Sequence, residues 1–413
     1  MKSIRITDTS LSLIKEKLIR PFGFKGFHIS ELWQAVACVS SENFKAVCPS
    51  TQSVLWSDGN VFSAFSPDES NLLMYRVTER AIELIKGKTF TRPDVLINSL
   101  IPELCEYASF ICGMKVKTTF VLNSLVGTDI ALWSLYAREN GITSFDGIIP
   151  ESTKEAMSCR HSRLAQIPLV SYNVDENEIR SLLDGGTALM KVKIGNTLDW
   201  DMQRIEQVHR LAKDYETPLT KSGKVCYYLD ANGRYTPDDL NRFIDFIDRK
   251  NIIDRVAIIE EPFPEEDKTD VSSLPVVINA DESAHSAEDL EERISLGYRS
   301  VALKPIAKTL SVSFAMVEAM HKAGGMYLCA DLTVNPLLAE WNKQFASRIA
   351  PLSSLNVGCV EVNGDANYVT WEKQISSLAS SVGCTEARNG AFECGDAFYA
   401  SARALFANEK WGS

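Results

Sequence analysis

Two lysines, Lys191 and Lys193, stand two apart in the apolar run "TALMKVKIGN". The side-chain period of a strand is two, so both ammonium groups face one side while Val192 and Ile194 face the other. Four later apolar runs also end in charge. "VCYYLDAN" closes on Asp230 with Asn232, "VAIIEEP" on Glu260 and Glu261, "VVINADES" on Asp281 and Glu282, and "VALKP" on Lys304. Any one of these could merely cap a following helix. Five successive runs closed by charge, with carboxylates on three neighbours and lysines on both flanks, point instead to one converging site. Three carboxylates brought together repel one another and raise their own pKa values. A hard divalent cation is their natural partner, and magnesium suits oxygen ligands best. A lysine at the rim of such a site, beside a second ammonium, is pushed toward the range where it can accept a proton.

These residues need a frame that brings strand ends together. From about residue 165, short apolar runs alternate with helix-like stretches: "PLVSYN", "ALMKVKIG", "KVCYYLDAN", "RVAIIEEP", "PVVINADES", "SVALKP", "GMYLCAD" and "VGCVEVNG". "TPDDLNRFIDFIDRK" starts with Thr236 as a cap and Pro237 in the first turn, and carries an apolar stripe at Leu240, Phe243, Ile244 and Ile247. "SAEDLEERISLG" starts at Ser286 and stops at Gly297. Eight strands and about seven helices predict a (β/α)8 TIM-type barrel, whose chemistry sits at the C-terminal ends of its strands. Residues 1–60 read as strands, including "LWQAVACVS" and "SVLWS", and 70–145 as helices, which makes an α+β capping domain ahead of the barrel. The expected division is 1–160 for the cap, 161–384 for the barrel and 385–413 for a C-terminal segment returning to the cap.

Composition narrows the function. The 413 residues are 45% hydrophobic and 23% charged with a net charge of −11, the profile of a globular protein with no nucleic-acid or anionic-membrane surface. The N-terminus lacks a signal-like apolar run and no eighteen-residue apolar span is evident, so a cytoplasmic protein is expected. Ten cysteines form no C-x-x-C pair, and the five histidines have no ligand spacing. The expected partner is a small-molecule carboxylate, without nucleic acid or membrane, and with homo-oligomerisation left open.

The ordered motifs "KVKIG", "LDANG", "IIEEP", "NADES" and "VALK" resemble the enolase superfamily, in its mandelate racemase/muconate lactonizing enzyme branch. Their spacings of 37, 30, 21 and 23 from Lys193 through Asp230, Glu260 and Asp281 to Lys304 are similar to that family's, as is the cap helix "GTDIALWSLYARENGI". The resemblance implies magnesium, with manganese able to substitute, held by Asp230, Glu260 and Asp281. It makes Lys193 and Lys304 an acid/base pair, with Lys191 tuning Lys193 and holding the substrate carboxylate. The implied chemistry is removal of the proton beside a carboxylate through an enediolate, most simply by a racemase or epimerase of an amino-acid or dipeptide-like acid. A lysine pair marks the muconate-lactonizing-like subgroup; the mandelate-racemase-like alternative has a histidine on strand seven, where this chain has Asp331.

The chain also departs from the pattern. "PIAKTLS" after Lys304 lacks the glycine pair of close relatives and offers Lys308 as a rival. Where related dipeptide epimerases carry Asp-x-Asp on strand eight, this chain has Glu361 and Asn363. The loop "RPFGFKGFH" places Phe22, Phe24 and Lys25 where that family's cap reaches over its pocket. Further substrate-contact candidates are Asn232, Asp331, Glu361 and Asn363. The same residues would serve an o-succinylbenzoate synthase-type dehydratase or a muconate-type cycloisomerase. A Schiff-base aldolase and an inactive binding protein are the readings of other classes.

Overall fold

The computed structural model describes residues 1–24, 27–378 and 386–409. The chain opens with an antiparallel meander, Asp8–Phe24, Phe27–Ser40 and Lys45–Gln52. Of three long helices, Pro67–Ile85 packs against it, Pro93–Cys112 packs on the other two helices, and Thr118–Glu139 packs against both the meander and its fellow helices. The last is buried on almost every face, which is why its sequence shows little amphipathic stripe. Its Gly127 lies so close to the meander that an added Cβ would stand 2.7 Å from the Cys48 carbonyl oxygen. Two of these helices, Pro93–Cys112 and Thr118–Glu139, are long and apolar enough by length and composition to cross a bilayer, contrary to the reading that no segment is; the second is wholly buried in the protein.

Eight parallel strands follow and close a (β/α)8 barrel: Arg163–Ile167 continued by Leu169–Val170, then Leu189–Lys193, Cys226–Asp230, Val256–Glu260, Ile278–Ala280, Ser300–Leu303, Met326–Cys329 and Gly358–Glu361. Strand one begins earlier than the predicted "PLVSYN" and is broken at Pro168. Its first part pairs with strand eight and its second with strand two. Proline has no N–H for the ladder, so a break belongs there, and the Pro168 carbonyl still accepts the Lys191 N–H at 3.0 Å.

Among the described residues six α-helices separate the strands, and their starts are set by the capping residues. Thr236 and Asp239 form a reciprocal capping box, as do Asp175 and Glu178, and Ser286 caps Ala287–Ser295. The stripe Leu240, Phe243, Ile244 and Ile247 is buried as its spacing predicts. Strands four and five are joined by the irregular segment 261–277 rather than by a helix. "SVLWS" is also not a strand: Val54–Ser57 makes a short helical turn with all four residues buried, so no side-chain period could show in it. The Asn123 side chain accepts the Ser53 N–H at 2.9 Å and fixes where that turn begins.

Cap and barrel interlock. Leu18 bridges to Tyr368, and the Tyr368 hydroxyl accepts from Gln34 Nε2 at 3.0 Å and donates to the Thr333 carbonyl at 2.8 Å. On the other side, cap residue Asp129 accepts the backbone N–H groups of Leu310 at 2.7 Å and Ser311 at 3.1 Å, at the start of helix Leu310–Lys322. Past strand eight, Ala391–Glu393 pairs antiparallel with strand one, and Asn408 exchanges hydrogen bonds with Val47 of the meander.

Candidate active site

Strand register assembles the site. Lys193, Asp230 and Glu260 stand directly opposite one another on strands two, three and four. Lys191 lies one pleat below Lys193 on the same face, and both lysines are buried. The face that the two lysines share is therefore the barrel mouth, as the converging charges predict. Asp281 and Lys304 follow directly on strands five and six.

The charges interlock tightly. The Lys193 ammonium donates to Asp230 Oδ2 at 2.6 Å and to Asn232 Oδ1 at 2.8 Å. Lys191 is shared among Asp230 at 3.0 Å, Glu361 at 3.2 Å and Glu260 at 3.4 Å. Lys304 pairs with Asp281 at 2.5 Å. Lys308 sits behind Asp281, donating to that residue's own carbonyl and, at 3.0 Å, to the carbonyl of Ala284. It does not line the cavity, whereas Lys304 does.

Electrostatics follow from this packing. Burial alone would drive the Lys191 ammonium to lose its proton, but Asp230, Glu260, Glu361 and Asp281 outweigh it and hold its pKa well above the ordinary lysine value. Lys304 is likewise raised: burial opposes, while Asp281 and Glu260 prevail. The expectation that a neighbouring ammonium depresses a lysine here is reversed at these two residues, because the carboxylates outnumber the ammonium groups. Asp230 is driven up by burial yet brought down to about 2 by Lys191 and Lys193, and Asp281 is held well below the usual range against its burial by Lys304 and Lys308. Glu260 goes the other way, to about 8, through burial and the charge of Asp281. Glu261 also reaches about 8, through burial and Glu282, but it turns aside from the row. Its carboxylate accepts the Asp281 N–H at 2.6 Å and the Ser283 hydroxyl at 3.0 Å.

The donor set fits a hard divalent cation. Glu260, Asp281 and Glu282 can bring one carboxylate oxygen each within 4.8 Å of the others. Among the described residues neither Glu260 oxygen accepts a hydrogen bond, although both are buried. An all-oxygen cluster with a buried carboxylate of this kind matches magnesium. Glu282, which closes the same run as Asp281, is thus a third acid that the motif comparison passes over; its Oε1 accepts from Asn232 Nδ2 at 3.1 Å.

The remaining candidates divide. Asn232 bridges Lys193 and Glu282 from a left-handed backbone conformation, φ +47°. Asp331, Glu361 and Asn363 form one cluster: Glu361 accepts the Asp331 N–H at 3.1 Å and Asn363 Nδ2 at 2.8 Å, and Asp331 accepts the Asn363 N–H at 2.8 Å. Burial and Glu361 raise Asp331 to about 7. Lys25 lies outside the described residues, and Phe22 and Phe24 are described only as backbone positions of the first meander strand.

A cavity of about 60 Å³ stands over the lysines. Leu18, Leu32, Leu55 and Trp56 of the cap and Leu169 and Leu332 of the barrel line it, together with Lys191, Lys193 and Lys304. The cap leucines and Trp56 carry no motif and lie far from the strand ends in sequence, so nothing in the sequence marked them.

A (β/α)8 barrel with lysines flanking strand-end carboxylates under an α+β cap defines the class of protein. Residues 175–309 match the family described as enolase C-terminal domain-like. A hydrophobic dipeptide epimerase of Citrifermentans bemidjiense is 25% identical over 243 residues, covering 56% of this chain and 62% of that protein. The match thus spans less than two thirds of the relative's length. A mandelate racemase/muconate lactonizing protein from Herpetosiphon aurantiacus superposes with a TM-score of 0.69 at 14% identity, over 96% of this chain and 97% of its own. A dipeptide epimerase from Cytophaga hutchinsonii, solved with magnesium and D-Ala-L-Val, gives 0.69 at 14%, over 96% and 95%. At that identity these structures speak for the fold.

Proposed function

We propose that this protein removes and returns the proton beside a carboxylate, as a magnesium-dependent racemase or epimerase of an amino-acid or dipeptide-like acid. One observation carries the reading: the ammonium groups of Lys193 and Lys304 bracket the carboxylate row Asp230, Glu260 and Asp281 from the two ends. Lys193 takes the proton on one face of the substrate carbon and Lys304 supplies it on the other, which inverts configuration. Lys191, whose ammonium is held firmly charged, binds and orients the substrate carboxylate. Asp230, Glu260 and Asp281 hold the magnesium, with Glu282 beside them. A magnesium ion held there would supply positive charge to offset the negative charge that proton loss places on the substrate carboxylate. The apolar wall residues exclude water and favour an apolar substituent, in keeping with the similarity to a hydrophobic dipeptide epimerase.

A Schiff-base lysine needs a depressed pKa, and the carboxylates around Lys191 and Lys304 act in the opposite sense. Buried, free cysteines among those described suit the reducing cytoplasm we assign. The test is α-deuterium incorporation in D2O with magnesium and a panel of acids and dipeptides, read by mass. Exchange that persists in EDTA, or that persists for both configurations in Lys193→Ala, would sink the mechanism.

A further inference from the structure

We propose that cap residue Trp56 is a substrate-binding residue whose indole Nε1–H donates a hydrogen bond to a neutral carbonyl oxygen of the substrate, near the reacting carboxylate. The reading rests on the proposed function only for the seat of that carboxylate. Trp56 lines the cavity above the lysines, and its ring covers the Lys304 ammonium with the centroid 4.5 Å away. The residue is 5% exposed, and among the described residues its Nε1–H is buried without a hydrogen-bond partner. A buried donor with no acceptor is destabilising, and a site that holds one selects ligands that bring the acceptor. Two other neutral donors of the same wall are already engaged, Asn232 Nδ2 with Glu282 and Asn363 Nδ2 with Glu361. The lysines attract anionic oxygen, which leaves the uncharged indole N–H to an uncharged oxygen. The substrate class that follows is an acyl-bearing carboxylic acid, such as a peptide-like or N-acylated amino acid, in preference to a free amino acid.

Two acids of one skeleton test this. 2-Isobutyl-4-oxopentanoate carries a carbonyl oxygen that 2-isobutylpentanoate lacks, and both are titrated calorimetrically into the magnesium-loaded protein. The wild type is expected to bind the oxo acid about tenfold more tightly. Trp56→Phe keeps an aromatic face over Lys304 without the donor, and should reduce that ratio to about twofold or less, whatever change in affinity the two acids share. Trp56→His, which restores a ring donor, should recover part of it. Equal binding of the two acids by the wild type, which needs no variant to fold, overturns the proposal, as does a ratio that survives in Trp56→Phe. Absence of deuterium exchange with the ratio intact would remove the proton-abstraction reading and support the Trp56 assignment; exchange with the ratio absent would do the reverse.

Discussion

Lys193 and Asp230 face each other in register on neighbouring strands, ammonium to carboxylate at 2.6 Å, while Lys304 meets Asp281 at the far end of the same row. The two lysines thus approach from opposite sides. Lys193→Ala and Lys304→Ala should each suppress α-proton exchange of one configuration by about 10²–10⁴-fold and spare the other. Mass measurement of deuterium uptake from both enantiomers decides it. Equal loss from both in each variant would contradict the two-faced arrangement.

Metal binding should be visible as stability. Magnesium at a hundredfold excess over its Kd should stabilise the fold by about 2.7 kcal/mol, read as a rise in Tm. Glu260→Gln should abolish the rise. Asp230→Asn should weaken magnesium more than Glu282→Gln; the reverse order would make Glu282 the third ligand in place of Asp230.

A third prediction concerns pH and lies away from the site. Burial raises the Asp129 carboxyl to about 7, against the bonds it accepts from Ser311 and Leu310. The folded state therefore retains a proton that the unfolded chain has released above pH ~4. This contribution to stability is fully present below that value and is lost as the pH climbs to about 7. Melting curves across the window should fall with rising pH, by at most about 1.4 kcal/mol per unit from this group. Asp129→Asn should flatten the slope, and parallel slopes for variant and wild type would refute the assignment.

Close packing of helix Thr118–Glu139 on the meander gives a fourth. A methyl at Gly127 would meet backbone on three sides: the Cys48 oxygen at 2.7 Å, the Ser50 nitrogen at 3.1 Å and the Pro49 carbonyl carbon at 3.2 Å. Backbone cannot swing aside as a side-chain tip can, so Gly127→Ala should cost about 1–3 kcal/mol despite the better helix propensity of alanine. Chemical denaturation measures it; an unchanged midpoint would show that the helix shifts freely.

The barrel and its row of charges were legible because strand ends and helix starts are local signals. Thr236, Ser286 and the alternation around Lys191 each declare themselves within a few residues. What escaped detection depends on contacts distant in sequence. Pro168 divides strand one only because its halves have different neighbours, and the turn at Val54–Ser57 reads as a strand because every side chain in it is buried. Trp56 reaches Lys304 across 248 positions of chain, with no motif to announce the meeting. The sign of the lysine shifts also needed three dimensions, since it turns on how many carboxylates surround each ammonium.

Helix Leu310–Lys322 takes its first-turn acceptor from Asp129, so the barrel borrows part of a helix cap from the neighbouring domain. A barrel expressed without the cap would present those N–H groups unanswered next to the segment that carries Lys304. The two parts are in this sense one cooperative unit: loosening the cap should unsettle the proton-transfer end of the barrel before it reaches the substrate.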